Sequence, residues 1–134
     1  MKIVRILLAD GYPHFTQLEE SFLDSSFEVV GKMGDGRALL DAAVKLKPDV
    51  ILTAISMPIL NGIEAANRLR ESGCTSRVVF VTVHDDADFI RACLAAGAIG
   101  FVSKQRIATD LLPAIQEALA GHIFISPIAI SATC

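Results

Sequence analysis

Three observations predict an α/β fold built on a parallel sheet. Apolar runs alternate with segments of helical period along the whole 134-residue chain, which is the pattern of repeated βα units. The apolar runs are nearly continuous, as strands buried on both faces require. Hydrophobic residues make up 52% of the composition, which fits a sheet covered on both sides.

Ile3–Ala9 reads as the first strand. Pro13 to about Leu23 follows as a helix, with Phe15, Leu18 and Phe22 on one apolar stripe and Glu19 and Glu20 facing outward. Phe27–Met33 is the second strand, and Gly34-Asp35-Gly36 then turns the chain. Asp35 caps a helix running to Leu46. Lys47-Pro48 stops it, because the residue before a proline is pushed out of the α region. Val50–Ala54 is the third strand, and Gly62–Glu71 the third helix, ended by Ser72-Gly73. The β-branched run Val78–Val83 marks a buried central strand. Asp85 or Asp86 caps a helix through about Ala96, closed by Gly97. Gly100–Ser103 is a short fifth strand. Ala108–Ala120 is the last helix, with Leu111, Ile115 and Leu119 inward and Gly121 at its end.

Five strands and five helices in strict alternation predict a doubly wound, three-layer sheet in the flavodoxin-like order 2-1-3-4-5. Ligands of such sheets bind outside the carboxyl ends of the strands, at the point where the strand order reverses. Here those ends are Asp10-Gly11, Ala54, Thr82 and Ser103-Lys104.

The bulk composition excludes several classes. The length fits one domain with its own core. No apolar run approaches the ~18 residues of a membrane span, and no signal-peptide pattern opens the chain. Three cysteines (Cys74, Cys93 and Cys134), an odd number without C-x-x-C spacing, point to reduced thiols in a cytoplasmic protein. Cys93 reads as a small core residue. A net charge of −3 without a basic cluster leaves no electrostatic footprint for direct nucleic-acid binding. His14, His84 and Cys93 lack metal-ligand spacing. Gly34-Asp35-Gly36 is G-x-G only, and no phosphate loop follows the first strand, which speaks against a flavodoxin-type FMN site.

Four segments carry a further signal: L-L-A-D-G-Y-P-H-F, P-D-V-I-L-T-A-I-S-M-P with the following N-G, V-T-V-H-D-D, and A-G-A-I-G-F-V-S-K. In this order and spacing, over about residues 2–126, the chain resembles a bacterial response-regulator receiver domain of the CheY-like kind. The phrase G-H-I-F-I-S-P is similar to the LuxR/NarL-type branch, whose receivers are joined to a helix-turn-helix domain. The resemblance implies a two-component (phosphorelay) signalling role. It also implies a carboxylate nucleophile, and a Mg²⁺ held by an acidic pair, that nucleophile and a backbone carbonyl. A lysine and a hydroxyl neutralise the incoming phosphoryl group.

Carried onto this sequence, Asp10 keeps the first acidic position and Gly11 replaces the second. Ala54 replaces the nucleophile. Ser56 supplies the carbonyl, Thr82 the hydroxyl, Lys104 the ammonium, and Phe101 stands at the aromatic switch position. Each missing attraction is worth roughly 4 kcal/mol at ~4 Å and an effective dielectric near 20. Mg²⁺ binding is therefore expected to be lost or very weak, with no metal site and no catalysis. The expectation is a degenerate pseudo-receiver, working through a protein partner or as a homodimer.

The residues also fit other roles. Asp10 can cap the following helix, or partner Lys104, whose unpaired burial would be costly. Lys104 can equally reach solvent, Thr82 is ordinary strand chemistry, and Phe101 fits a buried core. Thr53 points away from Ala54 and cannot replace the nucleophile. Residues 1–122 form the expected receiver-like domain, and the uncharged stretch 123–134 is a tail or the start of a linker. That tail can dock on its own domain, mediate association, or lead to an effector domain not present in this chain, and I-S-P-I-A-I favours the last. Arg91–Ala96 is rich in small residues, which suits a dimer contact on the face of the fourth helix and equally suits packing on the sheet. Two rival functions stand beside the main one. One is a small-ligand sensor using the space freed at Gly11 and Ala54, near Lys104 and Thr82. The other is an active receiver with an unusual acceptor.

Overall fold

The computed structural model describes residues 2–84 and 86–127. Asp85, the alternative helix cap, and Cys134 with most of the tail lie outside the described residues. Among those described, one parallel sheet runs in the order β2-β1-β3-β4-β5-β6. Its strands are β1 (Val4–Ala9), β2 (Phe27–Met33), β3 (Val50–Thr53), β4 (Arg77–Thr82), β5 (Gly100–Ser103) and β6 (Phe124–Ile125). The helices are α1 (Pro13–Ser21), α2 (Gly36–Leu46), α3 (Gly62–Glu71), α4 (Ala87–Ala95) and α5 (Ile107–Leu119), with a 3-10 turn at Lys104–Arg106.

The period-2 alternation of buried strand residues builds a core on each face of the sheet. Leu7, Ile51, Phe80 and Phe101 pack with Leu39, Ala43, Ala65, Leu69, Ile90 and Cys93, which come from α2, α3 and α4. Ile6, Leu8, Leu52, Val79, Val81 and Val102 pack with Leu111 and Ile115 of α5 and with Phe15 and Phe22. Burial pushes the Cys93 thiol up to about 12, so it stays protonated and unreactive.

The expected helix ends hold. Asp35 accepts from Ala38 N at 2.7 Å, Asn61 from Glu64 N at 2.8 Å, and Asp86 from Phe89 N at 3.0 Å. Lys47 leaves the right-handed region before Pro48 by turning left-handed, with φ 49°.

The expected strand order holds, with a short sixth strand added beside β5, and two expectations about helix faces need correction. Phe124 N donates to Ile99 O at 3.0 Å and Ser126 N to Phe101 O at 2.9 Å, which places the start of the tail beside β5. Two residues are too few to show strand period in a sequence. In α1, Leu18 is 41% exposed while Glu19 is only 1% exposed. The inward stripe is Phe15, Glu19 and Phe22, spaced i, i+4, i+7, and residue chemistry alone picks the leucine at i+3 instead. Glu20 does face outward, where it pairs with Lys32. In α5 the inward residues are Leu111, Ala114, Ile115 and Ala118, and Leu119 is half-exposed on the last turn.

Candidate functional site

The carboxyl ends of β1, β3, β4 and β5 meet on one side of the sheet. Asp10 follows β1 directly and is 1% exposed. Its Oδ1 accepts from Tyr12 N at 2.9 Å, an Asx turn that leads into α1. The N-cap of α1 is Tyr12, without a side-chain cap, so Asp10 shapes the turn and does not cap the helix. Its other oxygen, Oδ2, stands 2.7 Å from Lys104 Nζ, an ion pair and not an aligned hydrogen bond. The Lys104 side chain is 8% exposed, and its ammonium lies 3.8 Å from the centroid of the Phe15 ring. A carboxylate and an aromatic face thus replace the water that this cation would otherwise need. Lys104 does not reach solvent.

Ala54 lies one residue past β3 and is 3% exposed. Its N–H donates to Ala9 O at 3.0 Å, which keeps the ends of β1 and β3 in register. Thr53 is turned to backbone satisfaction, its hydroxyl donating to Ala54 O at 3.0 Å. The start of α3 crowds this spot. Gly62 N donates to Ile55 O at 2.7 Å, and a Cβ on Gly62 would collide with the carbonyl oxygen of Ala54. Gly62→Ala is therefore expected to cost roughly 1–3 kcal/mol through overpacking. Urea unfolding checks this, and an unchanged midpoint would show that α3 can slide away from the strand.

The loops after β3 and β4 are joined by hydrogen bonds. Thr82 is 2% exposed, and its hydroxyl oxygen accepts from His84 N at 3.1 Å. Ser56 Oγ and His84 Nε2 share a hydrogen bond of 2.9 Å, and the His84 ring stacks on Phe89 with centroids 4.6 Å apart. Phe101 is buried in the core, 1% exposed.

Glu19 is the residue of this region that the sequence misplaced. Its Oε1 is buried without a hydrogen-bond partner. Burial, with the negative charge of Asp10 adding and the Lys104 cation opposing, pushes its carboxyl up to about 8. At neutral pH it is a buried, neutral acid behind the Asp10–Lys104 pair.

A family model for the response regulator receiver domain matches residues 6–116. The chain belongs to that family. Among the receiver's relatives, the response regulator GacA of Pseudomonas aeruginosa is 37% identical over 127 residues, 93% of this chain and 59% of the relative. The nitrate/nitrite response regulator protein NarL of Escherichia coli K12 is 32% identical over 123 residues, covering 90% and 57% of the two chains. A LuxR-family two-component response regulator from Aurantimonas sp. SI85-9A1 superposes with a TM-score of 0.90 at 26% identity, over 98% of this chain and 95% of that one. The chain spans 53–64% of the length of the curated relatives it matches.

The receiver's crevice therefore gathers Asp10, Thr82 and Lys104 at the strand ends, with Ser56 in the loop beyond β3 and a methyl at position 54. Two contacts in it, and one buried acid, were hard to read from the sequence. Ser56 and His84 are 28 residues apart at no recognisable spacing. Phe15 reads as core until the lysine is seen over its ring. Glu19 was detectable only through its i+4 relation to Phe15. Among the described residues, no group of three or more His, Cys, Asp or Glu side chains is placed to hold a metal ion, and no helix is long and apolar enough to cross a membrane.

Proposed function

We propose that this receiver signals without phosphotransfer, as a protein-contact module of a two-component-type regulator. The observation that carries the reading is the alanine at 54, where the receiver pattern puts its phospho-accepting aspartate. A methyl group has no lone pair with which to attack phosphorus. The retained residues support the same reading. Mg²⁺ wants several hard oxygen ligands in near-octahedral array. This crevice offers one carboxylate, and Lys104 already neutralises it at 2.7 Å. The donor set does not fit the ion.

The chain is read as non-enzymatic and cytoplasmic, and its output as contact with a protein partner or a second copy. Leu119, Ile123 and Val83, 39%, 62% and 61% exposed, leave apolar area free for such contacts. The relatives' names and greater length support a setting in which a helix-turn-helix effector follows a receiver of this kind. The small-ligand alternative gains no support from the crevice, because the lysine that would attract an anion is already matched by Asp10.

Incubation with a small phosphodonor and Mg²⁺, followed by intact-mass measurement, tests the proposal. The mass is expected to stay that of the unmodified chain. Gain of one phosphoryl group would overturn it, and peptide mapping would then locate the unusual acceptor.

A further inference from the structure

We propose that Ser126 latches the backbone leaving the sheet to the turn that carries Lys104, so that the Asp10–Lys104 pair and the pairing of β6 change together. This does not rest on the crevice being silent in phosphotransfer; it concerns how any change there reaches the chain beyond β6.

Ser126 is 0% exposed. Its hydroxyl donates to Asp110 Oδ2 at 2.7 Å and accepts from Ser103 N at 3.0 Å. A hydroxyl can do both at once, whereas a methyl can do neither. Asp110, on the first turn of α5, also receives Arg106 as a two-pronged fork, Nε to Oδ2 at 2.8 Å and Nη2 to Oδ1 at 3.3 Å. Thr109 Oγ1 donates to the same carboxylate at 3.0 Å. Burial acts to raise the Asp110 pKa, yet hydrogen bonds from Arg106, Ser126 and Thr109 hold it below the ordinary value. The network is thus a satisfied, charged anchor and not a loose surface contact.

Its position gives it a second meaning. Ser103 immediately precedes Lys104 and Arg106 follows two residues later, so both flanks of the crevice lysine are bonded into the same cluster. That cluster also holds residue 126, whose own N–H pairs with Phe101 O at 2.9 Å. A shift of the Lys104 backbone away from Asp10 moves Ser103 or Arg106 with it, and either motion pulls on Ser126. The sixth strand has only two residues, so the latch is a large share of the bonding that holds it.

Coupling between two sites is reciprocal, which supplies a two-way test on the full chain. Amide hydrogen exchange is measured for Asp10→Asn and for Ser126→Ala, with amides of β1 and β3 as the reference for global opening. Asp10→Asn leaves every latch atom in place, yet it is expected to speed exchange at Phe124 and Ser126 about ten-fold relative to the reference. Ser126→Ala is expected to do the same and, in addition, to shift the side-chain NMR signals of Lys104 and Asp10. Ser126→Thr, which keeps the hydroxyl, is expected to restore both. If Asp10→Asn leaves β6 exchange at its original ratio to β1 and β3, the coupling does not exist. That arm decides the matter even if Ser126→Ala fails to fold. Release of β6 in Ser126→Ala with Lys104 and Asp10 signals unmoved would also refute it, leaving a purely local clasp.

Discussion

The double variant Gly11→Asp/Ala54→Asp is expected to melt at higher temperature with Mg²⁺ than without, while the natural chain melts identically in both. The two substitutions return carboxylates to positions where the crevice now holds a hydrogen and a methyl. Gly11 sits outside the left-handed region, so aspartate can adopt its backbone. A Cβ there would come 3.2 Å from Pro58 Cδ, a tight approach that needs the loop to give by a few tenths of an ångström. Pro58 is exposed, and with its carbonyl held by Leu60 N and Gly36 N it is the ring edge that must give. Three carboxylates then surround one ammonium, and the surplus negative charge favours a divalent cation. A ligand at a hundred times its dissociation constant stabilises the folded state by about 2.7 kcal/mol. For a domain of this size that is on the order of 8 °C. Ala54→Asp alone supplies one of the two groups and should respond far less. A folded double variant whose melting ignores Mg²⁺ would mean that the crevice differs from an active receiver by more than these two residues.

That experiment exploits what was plain in the sequence. The five longer strands were legible because each is a run of β-branched or aliphatic residues between turn signals, with Val78–Val83 the clearest. The crevice was legible because Asp10, Ala54, Thr82 and Lys104 stand at strand ends, where chain order alone brings them together. What stayed hidden was what chain order does not encode. The sixth strand is fixed by hydrogen bonds to Ile99 and Phe101 and by the latch to Asp110, none of which leaves a periodic trace. The loop after β3 goes against local expectation outright. Ile59, β-branched and 81% exposed, takes φ +71° in a tight turn closed by Leu60 N to Pro58 O at 2.7 Å. A β-branched residue is a poor choice for that conformation, so propensity would have placed the strain elsewhere. Glu19 was misplaced for the opposite reason. Glutamate is so seldom buried that the rule for its class outweighed the helical register.

Glu19→Leu is the substitution expected to stabilise this protein most, and its effect should depend on pH. The unfolded chain ionises this carboxyl near 4.5, whereas the folded chain, by burial and the nearby Asp10 charge, holds the proton until about 8. Between those values the native state binds a proton that the unfolded state does not. Stability must therefore fall as pH rises through that window, be unaffected by Glu19 below it, and level off above it. At pH 7 the loss amounts to roughly 3 kcal/mol against folding. Leucine has nearly the same reach, carries no charge, and removes the unpartnered Oε1 from the interior. It should raise the melting temperature at both pH values, and by on the order of 10 °C more at pH 7 than at pH 4. Glu19→Gln should lose the same pH dependence while keeping part of the cost of a buried polar group. Urea titrations between pH 4 and 9 separate these outcomes. If the leucine variant and the natural chain follow parallel curves across that range, Glu19 does not hold a proton behind the Asp10–Lys104 pair. The electrostatic picture of the crevice would then have to be rebuilt around a second ionised carboxylate.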